Sequence, residues 1–406
     1  MSEEAEQAGA AGPDTSGLAL DLAMEEARSD PSLRKDVAAF LPDQRSLIDI
    51  QKHKANSGVQ IMNRPLVFLL CCFGLLLQGL ADTANAQSPA PAVVRPQGLP
   101  PTHKDIDYAP AEPAGTNGHK LDLYVPANPG KPVPLVIWTR GSAWLADNGR
   151  DMADILAARL NPLGYAVAGV SIRSSAQVKF PGQLYDIKAA IRYLRANAAK
   201  FNIDPNRIGI VGTSSGGWTS LMAAVAGDVP QMEGNVGVTG GSSEVQVAVA
   251  FFPPTNFLAM DTWALQRCQR PGGFCHDAAD SPESKLVDCA IQTCPDRVHA
   301  ADPHTYITER DPPIMILHGD SDPLVPHNQG ESFYMALNKA CHDAVFITLP
   351  RAGHGEWFNF LANDQFREAA VMRSTASQGC SVTNPVPYTP TWKTLTDFLD
   401  KHLKAS

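Results

Sequence analysis

The chain has 406 residues, 44% of them hydrophobic, and a formal net charge of -9 at pH 7. That length can bury a large core, and one α/β domain of about 300 residues fits beside a smaller appendage. The acidic balance and the lack of a basic patch exclude nucleic acid as the expected partner. Residues 1–61 are acidic and Ala-rich. Leu18 to Arg28 and Pro31 to Phe40 have helical patterns, the second opened by Ser29-Asp30-Pro31, and nothing catalytic stands out there.

Met62-Asn63-Arg64 then precedes Leu66 to Leu80, apolar except for Gln78, and the run closes on Ala84-Asn85-Ala86 before Gln87. A basic start, a short apolar core and an Ala-x-Ala end predict a secretory signal peptide over 62–86. The core is shorter than the roughly 20 residues a spanning helix needs. Two expectations accommodate the residues in front of it. Translation starts at Met62 and 1–61 is a mis-annotated upstream extension, the reading favoured here; or 1–61 is cytosolic and 66–80 is an uncleaved signal anchor oriented by Lys52, Lys54 and Arg64. Both send the C-terminal domain across a membrane, so the expected location is secreted or periplasmic, with membrane contact only through such an anchor. Residues 87–104, rich in Pro, Ala and Gln at their start, read as a linker.

Of the eight cysteines, Cys71 and Cys72 lie in the apolar run and six fall in the C-terminal half. An even number in an oxidising compartment predicts disulfides. Local pairing is preferred: Cys268 with Cys275, Cys289 with Cys294, and Cys341 with Cys380 closing a longer loop. Zinc is the rival, with His276 beside Cys275, but the spacings match no zinc pattern.

From Asp105 strands and helices alternate. His119 to Val125 alternates like an early edge strand. Leu135 to Trp138, Ala166 to Val170, Ile208 to Val211, Val245 to Phe252, Ile314 to Leu317 and Val345 to Leu349 are short apolar runs. Helical patterns fall between them, as in Asp151 to Leu160, Leu184 to Ala198 and Glu331 to Lys339. Alternating β and α elements predict an α/β fold, a mostly parallel sheet covered by helices on both faces. Ligands bind beyond the carboxyl ends of such strands.

One strand end carries the strongest signal. Ile208 to Val211 runs into Gly212-Thr213-Ser214-Ser215-Gly216, a Gly-x-Ser-x-Gly pattern, and Trp218 to Ala226 is small, apolar and helix-compatible. Strand, sharp turn and helix make a nucleophile elbow with Ser214 as nucleophile, and its flanking residues must be small for the backbone to turn. A serine hydroxyl needs a base, and the base a carboxylate to orient it. The elbow resembles that of the α/β-hydrolases, where the chain order is Ser, then Asp or Glu, then His. Of 11 histidines, His327, His342, His354 and His402 follow a plausible acid. His402 belongs to a terminal helix, His342 adjoins Cys341 at a helix end, and His327 is too near the acid loop. His354, in Ala352-Gly353-His354-Gly355 directly after Phe346 to Leu349, is the expected base. The acid lies in His318-Gly319-Asp320-Ser321-Asp322-Pro323, after Ile314 to Leu317. Asp320 and Asp322 compete; Pro323 fixes the loop beyond Asp322, which leaves Asp320 as a turn former bonding its own backbone and His318 as a structural histidine. The oxyanion donors are expected to be the backbone N–H of Ser215 and one from Gly141 or Ser142 in the loop after Leu135 to Trp138.

With these residues in place, His119 to Leu361 resembles the α/β-hydrolase superfamily, specifically secreted esterases of the feruloyl/acetylxylan esterase-like and hormone-sensitive-lipase-like groups. The resemblance also rests on Phe180-Pro181-Gly182-Gln183-Leu184-Tyr185-Asp186, Asp204-Pro205-Asn206-Arg207-Ile208, Ser281-Pro282-Glu283-Ser284-Lys285-Leu286 and Asp311-Pro312-Pro313. It implies a catalytic domain over 105–406 and a triad of Ser214, Asp322 and His354 hydrolysing a carboxylic ester through an acyl-enzyme, with no metal and no cofactor. One motif departs. Where such esterases carry His-Gly-Gly-Gly-Trp, this chain reads Arg140-Gly141-Ser142-Ala143-Trp144. A serine at 142 is strained if that position needs φ > 0, and Arg140 either pairs with a nearby Asp or meets an acidic substrate group.

The cysteine-bearing insertion, about 255–308, is expected to cap the pocket and to contribute Trp263 and Phe274. Trp144 and Trp218 are the expected substrate contacts, on a small-molecule or carbohydrate-linked ester such as an acetyl or hydroxycinnamoyl (feruloyl) ester. Two alternatives remain: a prolyl-oligopeptidase-like peptidase or amidase, which the acid loop also resembles, and a non-catalytic binding protein with a damaged oxyanion loop.

Overall fold

In the computed structural model the described residues are 95–404, apart from 266, 267, 269–274 and 356. The helices expected within residues 1–61, the signal or anchor segment and Phe274 lie outside them. From Pro96 onward the chain forms one compact unit.

Its centre is made by short runs of β-branched and small apolar residues. β3 (Val133–Thr139), β4 (Ala166–Val170), β6 (Val247–Phe251) and β7 (Ile314–Gly319) are buried along their whole length, as expected of strands covered on both faces. With β1 (His103–Asp107), β2 (Lys120–Tyr124), β5 (Ile203–Thr213), β8 (Ala344–Leu349), β9 (Val371–Ala376), β10 (Ser381–Val382) and β11 (Val386–Pro387) they make one sheet. Its order is β1-β2-β4-β3-β5-β6-β7-β8-β9-β10, with β11 on β9. Pairing is parallel from β4 through β3, β5, β6 and β7 to β8, and antiparallel at both ends. The expected strands are all present. The sequence reading missed β1 and β9–β11, which are half-exposed or exposed and carry no apolar run.

Among the described residues, five longer helices cover the faces. α1 (Ala153–Leu160) and α5 (Trp392–Leu403) pack on one side with Val136, Trp138, Val249 and Leu317. α2 (Gly182–Ala196), α3 (Ser215–Val225) and α4 (Asn328–Lys339) pack on the other with Leu135, Ile137, Ile210 and Ile316. α5 shows why such a segment folds: Leu395, Phe398, Leu399 and Leu403 form one apolar stripe, and Thr391 with Thr394 makes a capping box. α2 ends at Ala196, two residues before the expected Ala198, because Asn197 leaves the helical region at φ -103.

Strand order reverses about β3, which has β4 on one side and β5 on the other. The loops after β3 and β5 therefore leave toward opposite faces and open a crevice at the carboxyl edge, the usual ligand position in such sheets. Between β6 and β7 the described residues form short α-helices at Met260–Trp263, Pro282–Val287 and Pro295–Ala300. Disulfides join Cys268 to Cys275, Cys289 to Cys294 and Cys341 to Cys380, the preferred pairing. Because Cys275 is bonded to Cys268, the zinc alternative at Cys275 and His276 falls away.

Candidate active site

β5 delivers Ser214 at the carboxyl edge in a conformation few residues tolerate, φ 52 and ψ -126. Such strain costs about 1–3 kcal/mol and persists only where the surroundings over-determine it. Here the Ser214 N–H donates to Phe251 O at 2.9 Å, and Ser214 O accepts from Trp218 N–H at 3.0 Å as α3 begins. A Cβ on Gly212 would stand 2.1 Å from Gly216 O, and one on Gly216 2.1 Å from Thr139 O. The turn is therefore built on the two glycines of the motif.

The structure brings the three expected side chains together. His354 Nδ1–H donates to Asp322 Oδ2 at 2.8 Å, and the Ser214 hydroxyl donates to His354 Nε2 at 3.1 Å. Asp322 is fully buried, and its Oδ1 accepts from the N–H groups of Leu324 and Val325, each at 2.9 Å. Burial pushes this carboxyl up, but the charge of His354 and hydrogen bonds from His318 and His354 outweigh it and hold it well below the usual carboxylate range. His318 is buried, with its Nε2 2.9 Å from Val325 O and 3.6 Å from Asp322 Oδ2, so it sits behind the acid loop as a structural group. Asp320 differs from its expected role. Beyond a bond from Ser321 Oγ, its Oδ1 accepts from Arg351 N–H at 2.7 Å, tying the acid loop to the base loop. His327 and His342 lie elsewhere, bonded to Thr348 Oγ1 and to Thr308 O, and His402 lies in α5.

One neighbour was missed. Phe252, buried at φ 40, sets its ring 4.6 Å from that of His354, edge to face. Its place directly after β6, the strand beside the elbow strand, was the available signal.

The oxyanion loop departs from expectation in two ways. Positive φ falls on Ala143 (51) and Trp144 (56), not on Ser142, so the serine that replaces glycine carries no such strain. The N–H groups of Gly141 and Ser142 are also engaged: Gly141 donates to Thr213 Oγ1 at 3.1 Å and Ser142 to Ser215 Oγ at 2.9 Å. The hydroxyls on either side of the nucleophile thus hold this loop against the elbow, and Ser142 Oγ closes it by donating to Ala146 O at 3.0 Å.

Trp144 and Trp218 are both buried. They meet edge to face at 5.4 Å and pack with Phe257 and Phe180, and the Trp218 indole donates to Ala301 O at 2.8 Å. The two rings are therefore part of a buried aromatic cluster, not an exposed surface, against the expectation of direct substrate contact. Asp186, from the Phe180–Asp186 motif, is likewise structural: fully buried, it accepts from Arg173 at Nε and Nη2 and lies 3.2 Å from His119 Nε2.

A mostly parallel sheet with a strained serine on its fifth strand, an acid after the seventh and a histidine after the eighth defines an α/β-hydrolase fold. Within that class the chain belongs to the BD-FAE family, which matches residues 121–337, more than half of its length. It is similar to a truncated form of a carbohydrate esterase from gut microbiota at 31% identity, over 76% of this chain and 100% of that one, with a TM-score of 0.61. Esterase LipC of Mycobacterium tuberculosis is 28% identical over 228 residues, 56% of this chain and 54% of LipC. The chain spans about half the length of the curated relatives it matches. An acetyl ester-xyloside bifunctional hydrolase from Caldicellulosiruptor lactoaceticus, 22% identical over 64% of this chain and 90% of that one at a TM-score of 0.51, shares the fold.

Proposed function

We propose that the chain is a serine carboxylic-ester hydrolase that works through an acyl-enzyme, with Ser214 as nucleophile, His354 as general base and acid, and Asp322 as its orienting carboxylate. The observation that carries this is the continuous bond path from Ser214 Oγ through the imidazole to Asp322, at 3.1 and 2.8 Å. His354 takes the Ser214 proton as the hydroxyl attacks the ester carbonyl, and Asp322 stabilises the imidazolium. The Ser215 N–H donates to the developing oxyanion, while the Gly141 and Ser142 N–H groups would serve only on release from Thr213 Oγ1 and Ser215 Oγ. His354 then protonates the departing alcohol, and water releases the acid by the reverse path. No step calls on a metal or cofactor.

The finer reading is an acetyl or hydroxycinnamoyl ester on a carbohydrate, acted on outside the cytosol. Similarity to a carbohydrate esterase over the whole of that chain supports the first part, and three disulfides support the second. Segment 255–308 is proposed as the cap that shapes the pocket.

Ser214→Ala is expected to lower hydrolysis of p-nitrophenyl acetate by at least about 10³-fold with an unchanged melting temperature. Near-normal turnover would remove Ser214 from the mechanism. Comparing acetyl, longer acyl and feruloyl esters on sugar and simple alcohols tests the substrate class, with preference for the sugar-linked acetyl or feruloyl ester expected.

A further inference from the structure

Phe252 stands directly after β6 with a positive φ of 40. For a bulky side chain this is a rare conformation, one that glycine adopts without penalty. Its neighbours hold it there. On the β5 side Phe251 O accepts from Ser214 N–H at 2.9 Å, and on the β7 side the Phe252 N–H donates to Leu317 O at 2.8 Å. Beyond it Pro253 and Pro254 have φ fixed by their rings and lead into Thr255, where a fully buried side chain near the start of α4 clamps the chain. Gln329 Oε1 accepts from the N–H groups of Thr255 at 2.8 Å and Asn256 at 2.7 Å, and its Nε2 donates to Asn256 O at 2.8 Å. Thr255 Oγ1 donates to Gln329 O at 2.7 Å. The strained residue is over-determined from both sides, and strain kept in that way points to a functional demand on its geometry.

The ring that this backbone aims is 2% exposed. Its centroid lies 4.6 Å from that of His354 at an interplanar angle of 61°, and Phe360 packs on it edge to face at 5.5 Å. The base needs such a support, because its own loop is lightly packed. A Cβ on Gly353 would meet nothing nearer than 3.7 Å, and one on Gly355 nothing within 4 Å. The bond from Nδ1 to Asp322 fixes one atom of the imidazole. About that atom the ring can still swing, carrying Nε2 away from Ser214 Oγ. A contact on the ring itself removes this freedom, and Phe252 supplies it without a polar group that would compete for either nitrogen. The main chain at 251–252 is bonded to the nucleophile on one side and to the strand leading into the acid loop on the other. The end of β6 thus refers all three groups to one point.

We propose that Phe252 is a positioning residue for acyl transfer, its ring holding the His354 imidazole in the orientation that aligns Nδ1 with Asp322 and Nε2 with Ser214. The proposal rests on the reading of Ser214, His354 and Asp322 as the reacting set. Because the ring is buried, its effect falls on proton transfer and not on substrate binding.

The experiment first compares the wild-type protein with Ser214→Ala on p-nitrophenyl acetate; equal turnover in the two removes that reading, and this proposal with it. A large loss leaves Phe252 to be judged by its own variants. Phe252→Leu keeps an apolar side chain and loses the flat ring. It is expected to lose about 10- to 100-fold in kcat with KM unchanged, whereas Phe252→Tyr, which keeps the ring, is expected to retain wild-type kcat. A folded leucine variant with wild-type kcat overturns the proposal. So does a loss that falls on KM, or one that the tyrosine variant shares. If the leucine variant does not fold, NMR of the wild-type protein decides. The His354 ring is expected to give a single set of resonances, and two exchanging sets would reveal an imidazole that Phe252 does not hold.

Discussion

At Gly141 the loop after β3 comes so close to the elbow that a Cβ would stand 2.4 Å from Thr213 O and 2.5 Å from Ser214 Cβ. Its φ is not positive, so the demand for glycine here is one of space alone. Gly141→Ala must therefore push the loop off Ser214, and it is expected to lower kcat/KM on p-nitrophenyl acetate by about 10²-fold, the cost of a displaced oxyanion donor. Steady-state kinetics beside a melting curve checks this; an alanine variant with wild-type kcat/KM would show that the loop yields without harm. Ser142, where resemblance to related esterases placed the doubt, needs no glycine, because the left-handed turn falls one residue later. Residue type alone located the loop but not which of its positions carries the strain. That depended on how Thr213 and Ser215 hold Gly141 and Ser142, contacts that join β3 to β5 across more than 70 residues of chain.

Among the elements, the buried strands were legible because a strand covered on both faces must be apolar throughout. β9, β10 and β11 were not, since a half-exposed or exposed edge leaves composition almost free. What secures that edge is the Cys341–Cys380 disulfide, which ties the turn before β10 to the end of α4 across a sequence separation of 39. In the chain-entropy account, closing a loop of that size stabilises by about 4 kcal/mol. Cys341→Ser with Cys380→Ser should lower unfolding stability by roughly that amount while leaving the distance from Ser214 to His354 and the turnover at low temperature unchanged. Denaturant unfolding under non-reducing conditions measures the first, and a stability equal to wild type would show that the sheet edge holds without the bond.

Across the whole molecule, two titrating groups outside the triad set opposite responses to acid. His327 is pushed down to about 4, first by burial and then by the charge of His318. The unfolded chain therefore binds a proton below about 6.5 that the folded chain refuses until about 4, and acidification through this window destabilises. Asp311 is pushed up to about 6, chiefly by burial. It keeps a proton in the folded state that the unfolded chain has already released, so acidification from about 6 toward 4 stabilises. His327→Gln removes the first response only. On acidification from about pH 6.5 to 4 the variant should lose less stability than the wild type, as read from melting temperatures at each pH. Parallel losses in the two proteins would contradict the lowered proton affinity of His327.

The sequence by itself determined the alternation of strands and helices, the elbow at Ser214, the loops that carry Asp322 and His354, and a local pairing of cysteines. Each of these is written in a short window: an apolar run, two glycines about a serine, a proline after an acid. Only the tertiary structure decided that Trp144 and Trp218 close into a buried cluster, that Asp320 ties the acid loop to Arg351, that Phe252 packs on His354, and that His276 pairs with Glu283. Those contacts join strand ends and loops from separate parts of the chain, and which of them meet is set by the order of strands in the sheet. A side chain's chemistry can be read from its neighbours in sequence, but its partner is chosen by packing, and packing depends on every element at once.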